Sequence, residues 1–162
     1  MKQVISVLVE NQYGVLNKIT GLFSRRGFNI ETLSVGETDD KSVSRITMIV
    51  DSGNSVMEQV EKQLNKMVQV IKVRRLNPSE LVGRELALFK IGITTKTRGE
   101  IKDLVEIMGA HIADISATTV TIEICAAPEQ IDLMLDLLRP YGIKEMARTG
   151  MAALQKGSSS LG

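Results

Sequence analysis

Asn11-Gln12-Tyr13-Gly14 stands between an apolar strand pattern (Val4, Ile5, Val7, Leu8, Val9) and a run with apolar residues at Val15, Leu16, Ile19, Leu22 and Phe23. Offsets of one, four, seven and eight put the second set on one face of a helix. A helix that begins at this turn leaves its first backbone N–H groups without intrahelical partners, and such a terminus suits a small anion such as a carboxylate. Gly27 follows the helix where a left-handed residue is needed, and a second strand pattern runs from Phe28 to Val35. Two readings of the turn are open on the residues alone. In one it is a capped helix start, with Asn11 or a neighbour accepting from a free N–H. In the other the N–H groups take a ligand's carboxylate, and Asn29 reaches its amine or carboxylate.

No other residues form a chemical constellation. His111 is the only histidine, in a short strand pattern without a second histidine nearby, and Cys125 is the only cysteine, in an alternating apolar stretch that predicts a part-buried thiol. Metal sites need three or four clustered side-chain ligands, which the sequence does not offer. Asp39-Asp40 reads as a solvated turn, and Ser158-Ser-Ser160 has no base partner. Neither spacing of a glycine-rich phosphate loop occurs. A net charge of +1 lacks the electrostatic footprint of a nucleic-acid binder. Of the five aromatics, Tyr13, Phe23, Phe28, Phe89 and Tyr141, only Phe28 and Phe89 fall in strand patterns, so no stacking platform for RNA is expected. No apolar run approaches the ~20 residues of a membrane helix, and no leader is evident. A cytoplasmic protein with no catalytic residues, no metal, and neither membrane nor nucleic acid as partner is expected.

The elements that would position the turn repeat once. Residues 1–76 read as β-α-β-β-α-β, with Arg45 to Val50 a strand wet on one side and a helix capped by Asn54 or Ser55. Residues 77–84, with Pro78, read as a linker. Residues 85–149 repeat the order, with Gly109 in the role of Gly27 and Pro128 opening the last helix. Residues 150–162 end in Gly-Ser-Ser-Ser-Leu-Gly and read as a flexible tail. Each half has a small core, and its second strand falls at a sheet edge, so a homodimer that pairs two edges is expected.

The segments Glu10-Asn-x-x-Gly14, Gly21-Leu-Phe-Ser-x-Arg-Gly27, Phe28-Asn-Ile-Glu-Thr-Leu-Ser-Val35 and Thr38-Asp-Asp40 resemble the small, regulatory subunit of acetolactate synthase, whose first half is an ACT domain. Ser44-Arg45, Glu61-Lys-Gln-Leu64 and Arg148-Thr-Gly150 also fit. The resemblance implies an α+β chain of two ferredoxin-like βαββαβ domains in tandem, a large-subunit partner, and no catalysis by this chain. The cofactors thiamin diphosphate, Mg and FAD would then belong only to the large subunit. It further implies a branched-chain amino acid effector at the interface of two ACT domains. One chain would supply Asn11, Gln12, Tyr13, Gly14, Val15 and Leu16, and the other Asn29 and Ile30. Tyr13 departs from the small or polar residues common at that point, and a phenol there would narrow or cover the pocket. The alternative, a free-standing ACT-type sensor acting on another enzyme or on transcription, would need a DNA-binding element that no stretch supplies.

Overall fold

The computed structural model describes residues 2–162. They form two compact units, residues 2–82 with 150–162, and residues 83–149. Each is built on an antiparallel sheet with two helices, an α+β arrangement in the expected βαββαβ order.

The first unit contains β1 (Lys2–Glu10), α1 (Val15–Arg25), β2 (Ile30–Glu37), β3 (Val43–Asp51), α2 (Asn54–Asn65) and β4 (Val70–Leu76). Its sheet has the order β2-β3-β1-β4, so β2 is an edge. Strand alternation turns Ile5, Val7 and Val9 of β1 and Ile46, Met48 and Val50 of β3 to one face. There they meet Val15, Ile19 and Phe23 of α1, from the predicted helical stripe, and Met57, Val60 and Leu64 of α2. α1 closes as predicted: Gly27 has φ +68°, its N–H donates to Ser24 O (3.1 Å), and the Phe28 N–H donates to Phe23 O (3.0 Å). These bonds satisfy carbonyls that the helix end leaves free. Phe28 is thereby set edge-on to Phe23, 6.4 Å between ring centres. The cap of α2 differs from expectation. Gly53 is its N-cap, and neither Asn54 nor Ser55 caps it with a side chain.

The opposite face is not wet. Registers align three rows across it: Thr32-Ile49-Val4-Leu76, Ser34-Thr47-Ser6-Arg74, and Gly36-Arg45-Leu8-Lys72. Val4, Ile49 and Leu76 are buried with Met151 and Ala153, and Ser6, Thr47 and Leu8 are buried as well. The cover includes the stretch expected to be a flexible tail. Residues 152–155 form β9 (Ala152–Gln155), which pairs with β5 (Leu81–Gly92), and Leu161 is buried. The linker also differs, since only Pro78–Glu80, a single 3-10 turn, precedes β5. The seating of the last residues has a cause. Apolar Met151 and Ala153 pack on Val4, Ile49 and Leu76, far upstream, where local composition cannot reveal them.

The second unit contains most of β5, α3 (Arg98–Ile107), β6 (His111–Ile115), β7 (Thr119–Ala126), α4 (Pro128–Leu138) and β8 (Ile143–Arg148), with sheet order β6-β7-β5-β8. Phe89, Ile91, Ile122 and Ile124 pack on Ile101, Val105, Ile131 and Met134. Cys125, next to inward-facing Ile124, is exposed rather than part-buried. Glu85, 2% exposed, is the one buried charge in this unit among the described residues, and Arg148 Nε pairs with it at 2.5 Å. Arg148 Nη1 also reaches Asp132 of α4 at 2.6 Å. Removing the cation would strand a buried carboxylate, which costs about 3–5 kcal/mol. Arg148→Ala should therefore lower urea-unfolding stability by roughly that amount, with Glu85→Gln in the same chain recovering part of it.

Candidate functional site

Residues 11–16 form one continuous turn and helix start. Gly14, with φ +81°, is the N-cap of α1, and a Cβ there would meet nothing within 4 Å. The glycine is needed for its backbone conformation, not for space. Among the described residues no side chain hydrogen-bonds to this cap, and no acidic residue lies in the first turn. The N–H of Val15 turns back to Gln12 O at 3.4 Å, and that of Lys18 donates to Gly14 O at 3.0 Å. The N–H groups of Leu16 and Asn17 lie ahead of the first helical bond, so the positive end of the helix is left for a partner. Val15 itself is buried in the core, whereas Gln12, Tyr13 and Leu16 are exposed, Tyr13 fully.

Asn11 does not cap the helix. Its Nδ2 donates to Lys41 O at 2.9 Å and to Glu37 Oε1 at 3.1 Å, and its backbone N–H donates to Ser42 O at 2.7 Å. Both partners of the amide nitrogen can only accept, which fixes the orientation of the side chain. Its carbonyl oxygen remains, an acceptor suited to an ammonium group. The hairpin that holds Asn11 is itself locked by Asp40, whose Oδ1 accepts from the Ser42 hydroxyl (2.7 Å) and the Ser42 N–H (2.9 Å). The Ser42 hydroxyl, then its N–H, hold the Asp40 carboxyl below its ordinary value of 3.8. Glu37 and the Lys41 carbonyl were not evident from the sequence as parts of the site. The turn composition of Thr38-Asp-Asp40-x-Ser42 was the available signal.

Asn29 is exposed just before β2, and Ile30 is its first residue. The structure does not bring them to the turn. Ile30 stands opposite Val50, which also faces Gln3 near the start of β1, whereas Glu37 is level with the far end, where Glu10 pairs with Val43. Seven residues at ~3.3 Å each separate the two ends by about 23 Å. Asn11 and Ile30 of one chain therefore lie at opposite ends of the sheet. Elsewhere, His111 is exposed in the edge strand β6, and no three metal-ligating side chains cluster among the described residues. No helix among them is long and apolar enough to cross a membrane.

This unit is of the ACT class: residues 5–72 match the AHAS small subunit-like ACT domain, and residues 84–157 match the small subunit of acetolactate synthase. The chain is 43% identical to the acetolactate synthase small subunits of Mycolicibacterium smegmatis and Bacillus subtilis. Both alignments cover 98% of it, with 93% and 92% of the respective relatives. The crystal structure of the acetolactate synthase small subunit from Thermotoga maritima superposes with a TM-score of 0.91 at 37% identity, over 98% of this chain and 99% of that one. The chain belongs to the acetolactate synthase small subunit family.

The depressed pKa of Asp40 carries a sign. Its contribution to the hairpin is fully present above the ordinary aspartate value and is lost as pH falls through the lower folded value. A carboxyl NMR titration should place the Asp40 midpoint below 3.8, and Ser42→Ala should return it toward that value.

Proposed function

We propose that the chain is the regulatory subunit of acetolactate synthase. It binds the thiamin-diphosphate-dependent large subunit, raises its activity, and makes it answer to a branched-chain amino acid. The reaction joins two pyruvates into 2-acetolactate, or pyruvate with 2-oxobutyrate. In this reading thiamin diphosphate, Mg and FAD are held by the large subunit, and this chain contributes no catalytic group.

The observation that carries the proposal is the placement of the two half-sites at opposite ends of the edge strand. Antiparallel pairing of β2 with β2 of a second copy, about a two-fold axis, reverses the strand. It sets Asn29 and Ile30 of that copy beside the Asn11 turn of this one, and removes the open edge at the same time. The ligand's carboxylate then meets the Leu16 and Asn17 N–H groups at the positive end of α1. Its ammonium meets the free Asn11 oxygen, and its branched side chain meets Leu16 and Ile30. Two equivalent sites form per homodimer. The amino acid favours the dimer arrangement in which the two halves close, and the large subunit responds to that arrangement.

Binding at 100 times Kd stabilises the closed dimer by about 2.7 kcal/mol. A thermal-shift titration with valine, leucine and isoleucine should raise Tm by several degrees for at least one of them. The absence of any shift in a verified dimer would remove the effector site. Gly14→Asp puts a carboxylate where the ligand's would bind, with open space around it and a left-handed φ that Asp tolerates. Acetolactate assays with the large subunit should show activation retained and inhibition lost by at least tenfold in effector concentration. Gly14→Asn, alike in backbone cost but uncharged, should lose less. Loss of activation with Gly14→Asp would show that the site was misplaced.

A further inference from the structure

The run from Gly150 to Gly162 is seated on the first unit at three places. At its start, a Cβ on Gly150 would lie 2.4 Å from Leu33 O, 2.6 Å from Leu33 C and 3.0 Å from Leu33 N. Gly150 is not among the glycines with positive φ, so glycine is required there for close approach to β2 and not for its conformational range. In the middle, Met151 and Ala153 are buried with Val4, Ile49 and Leu76. Toward the end, Arg74 Nη1 donates to Gln155 Oε1 at 2.9 Å and to Ser159 Oγ at 3.0 Å. There too the Lys156 N–H donates to Glu80 O at 2.7 Å, and Leu161 is buried.

The first of these contacts falls on an edge strand of the sheet. Central strands are held by ladders on both sides, whereas β2, like β4 at the other edge, has only one, to β3. That single ladder is interrupted between Ile30 and Thr32, where the register shifts. The Thr32 hydroxyl is buried without a hydrogen-bond partner, so it adds nothing to the hold on the strand. Leu33 is three residues beyond Ile30 and four beyond Asn29. Whatever presses on the Leu33 backbone therefore helps to set where Asn29 and Ile30 stand.

We infer that Gly150 is a positioning residue for the amino-acid site, and that residues 150–162 are a strap whose seating on β2 sets the sensitivity of that site. The inference rests on the reading of Asn29 and Ile30 as half of an effector site. A methyl group at position 150 cannot be accommodated at 2.4 Å from a carbonyl oxygen. Strand or strap must move by at least about half an ångström, which is the tolerance of a preorganised site.

The experiment uses the full chain reconstituted with the large subunit, titrated with valine, leucine and isoleucine. It reads the half-inhibiting concentration and the activated rate without effector. Gly150→Ala should raise the half-inhibiting concentration tenfold or more and leave the activated rate within twofold. If Gly150→Ala does not fold, the double variant Gln155→Ala with Ser159→Ala decides instead. It frees the strap from Arg74 without adding an atom, and should raise the concentration threefold or more. An unchanged concentration in the deciding variant overturns the inference and leaves the effector site standing. Parallel loss of activation and inhibition also overturns it, because the strap would then support the unit as a whole. A wild-type chain that no branched-chain amino acid inhibits or stabilises removes the effector reading itself, and the inference with it.

Discussion

A βαββαβ chain places both of its helices on one face of its sheet, because each crossover turns with the same hand. The other face must then be polar, or be covered by something else. In the first unit it carries Val4, Leu8, Ile49 and Leu76, which are too apolar to leave in water. The strap from residue 150 onward answers that constraint. It puts Met151 and Ala153 on the apolar row, and Gln155 and Ser159 beside the arginine that ends the next. The polar row has its own logic. Ser6 is wholly buried and would be costly if left alone, but Arg45 Nη1 donates to its hydroxyl at 2.9 Å. A face that is part apolar and part hydrogen-bonded accepts one arrangement of its cover and disfavours slippage.

The edge strand expresses the same economy. Ile30 and Leu33 of β2 pack on the helix-side core, but its outer edge faces no other strand among the described residues. The proposed site would use this exposure. Glycine at the cap of α1 leaves N–H groups unpaired, and the hairpin after β2 occupies the Asn11 amide nitrogen so that its oxygen alone is free. One end of the sheet thus carries a donor set for a carboxylate and an acceptor for an amine, and the other end carries Ile30.

Features decided within a dozen residues were legible in the sequence. The helical stripes of Val15, Ile19 and Phe23 and of Ile101 and Val105, and the stops at Gly27 and Gly109, follow from periodicity and from the left-handed residue that a helix end requires. Features decided by distant partners were not. Asn11 reads locally as a cap, yet its partners lie 26 and 30 residues away. Arg45 to Val50 alternates like a strand with one wet face, but the residues that dry Ile49 come a hundred positions later. The serine and glycine of the last residues have the composition of disorder, which weighs average polarity and misses Met151 and Ala153, whose partners are waiting. Cys125 shows the limit of alternation, which says that a residue faces away from the helices but not whether anything covers it.

The strap has a consequence for biosynthesis. The sheet of the first unit is made first and is covered only by residues made after the whole second unit, so a nascent chain cannot close it early. Until then the row of Val4, Ile49 and Leu76 stays open on the ribosome, which is the kind of surface that draws chaperones or misassociation. The second unit is contiguous in sequence and is made before that cover. A chain interrupted after the second unit would carry an apolar face that the finished protein never shows.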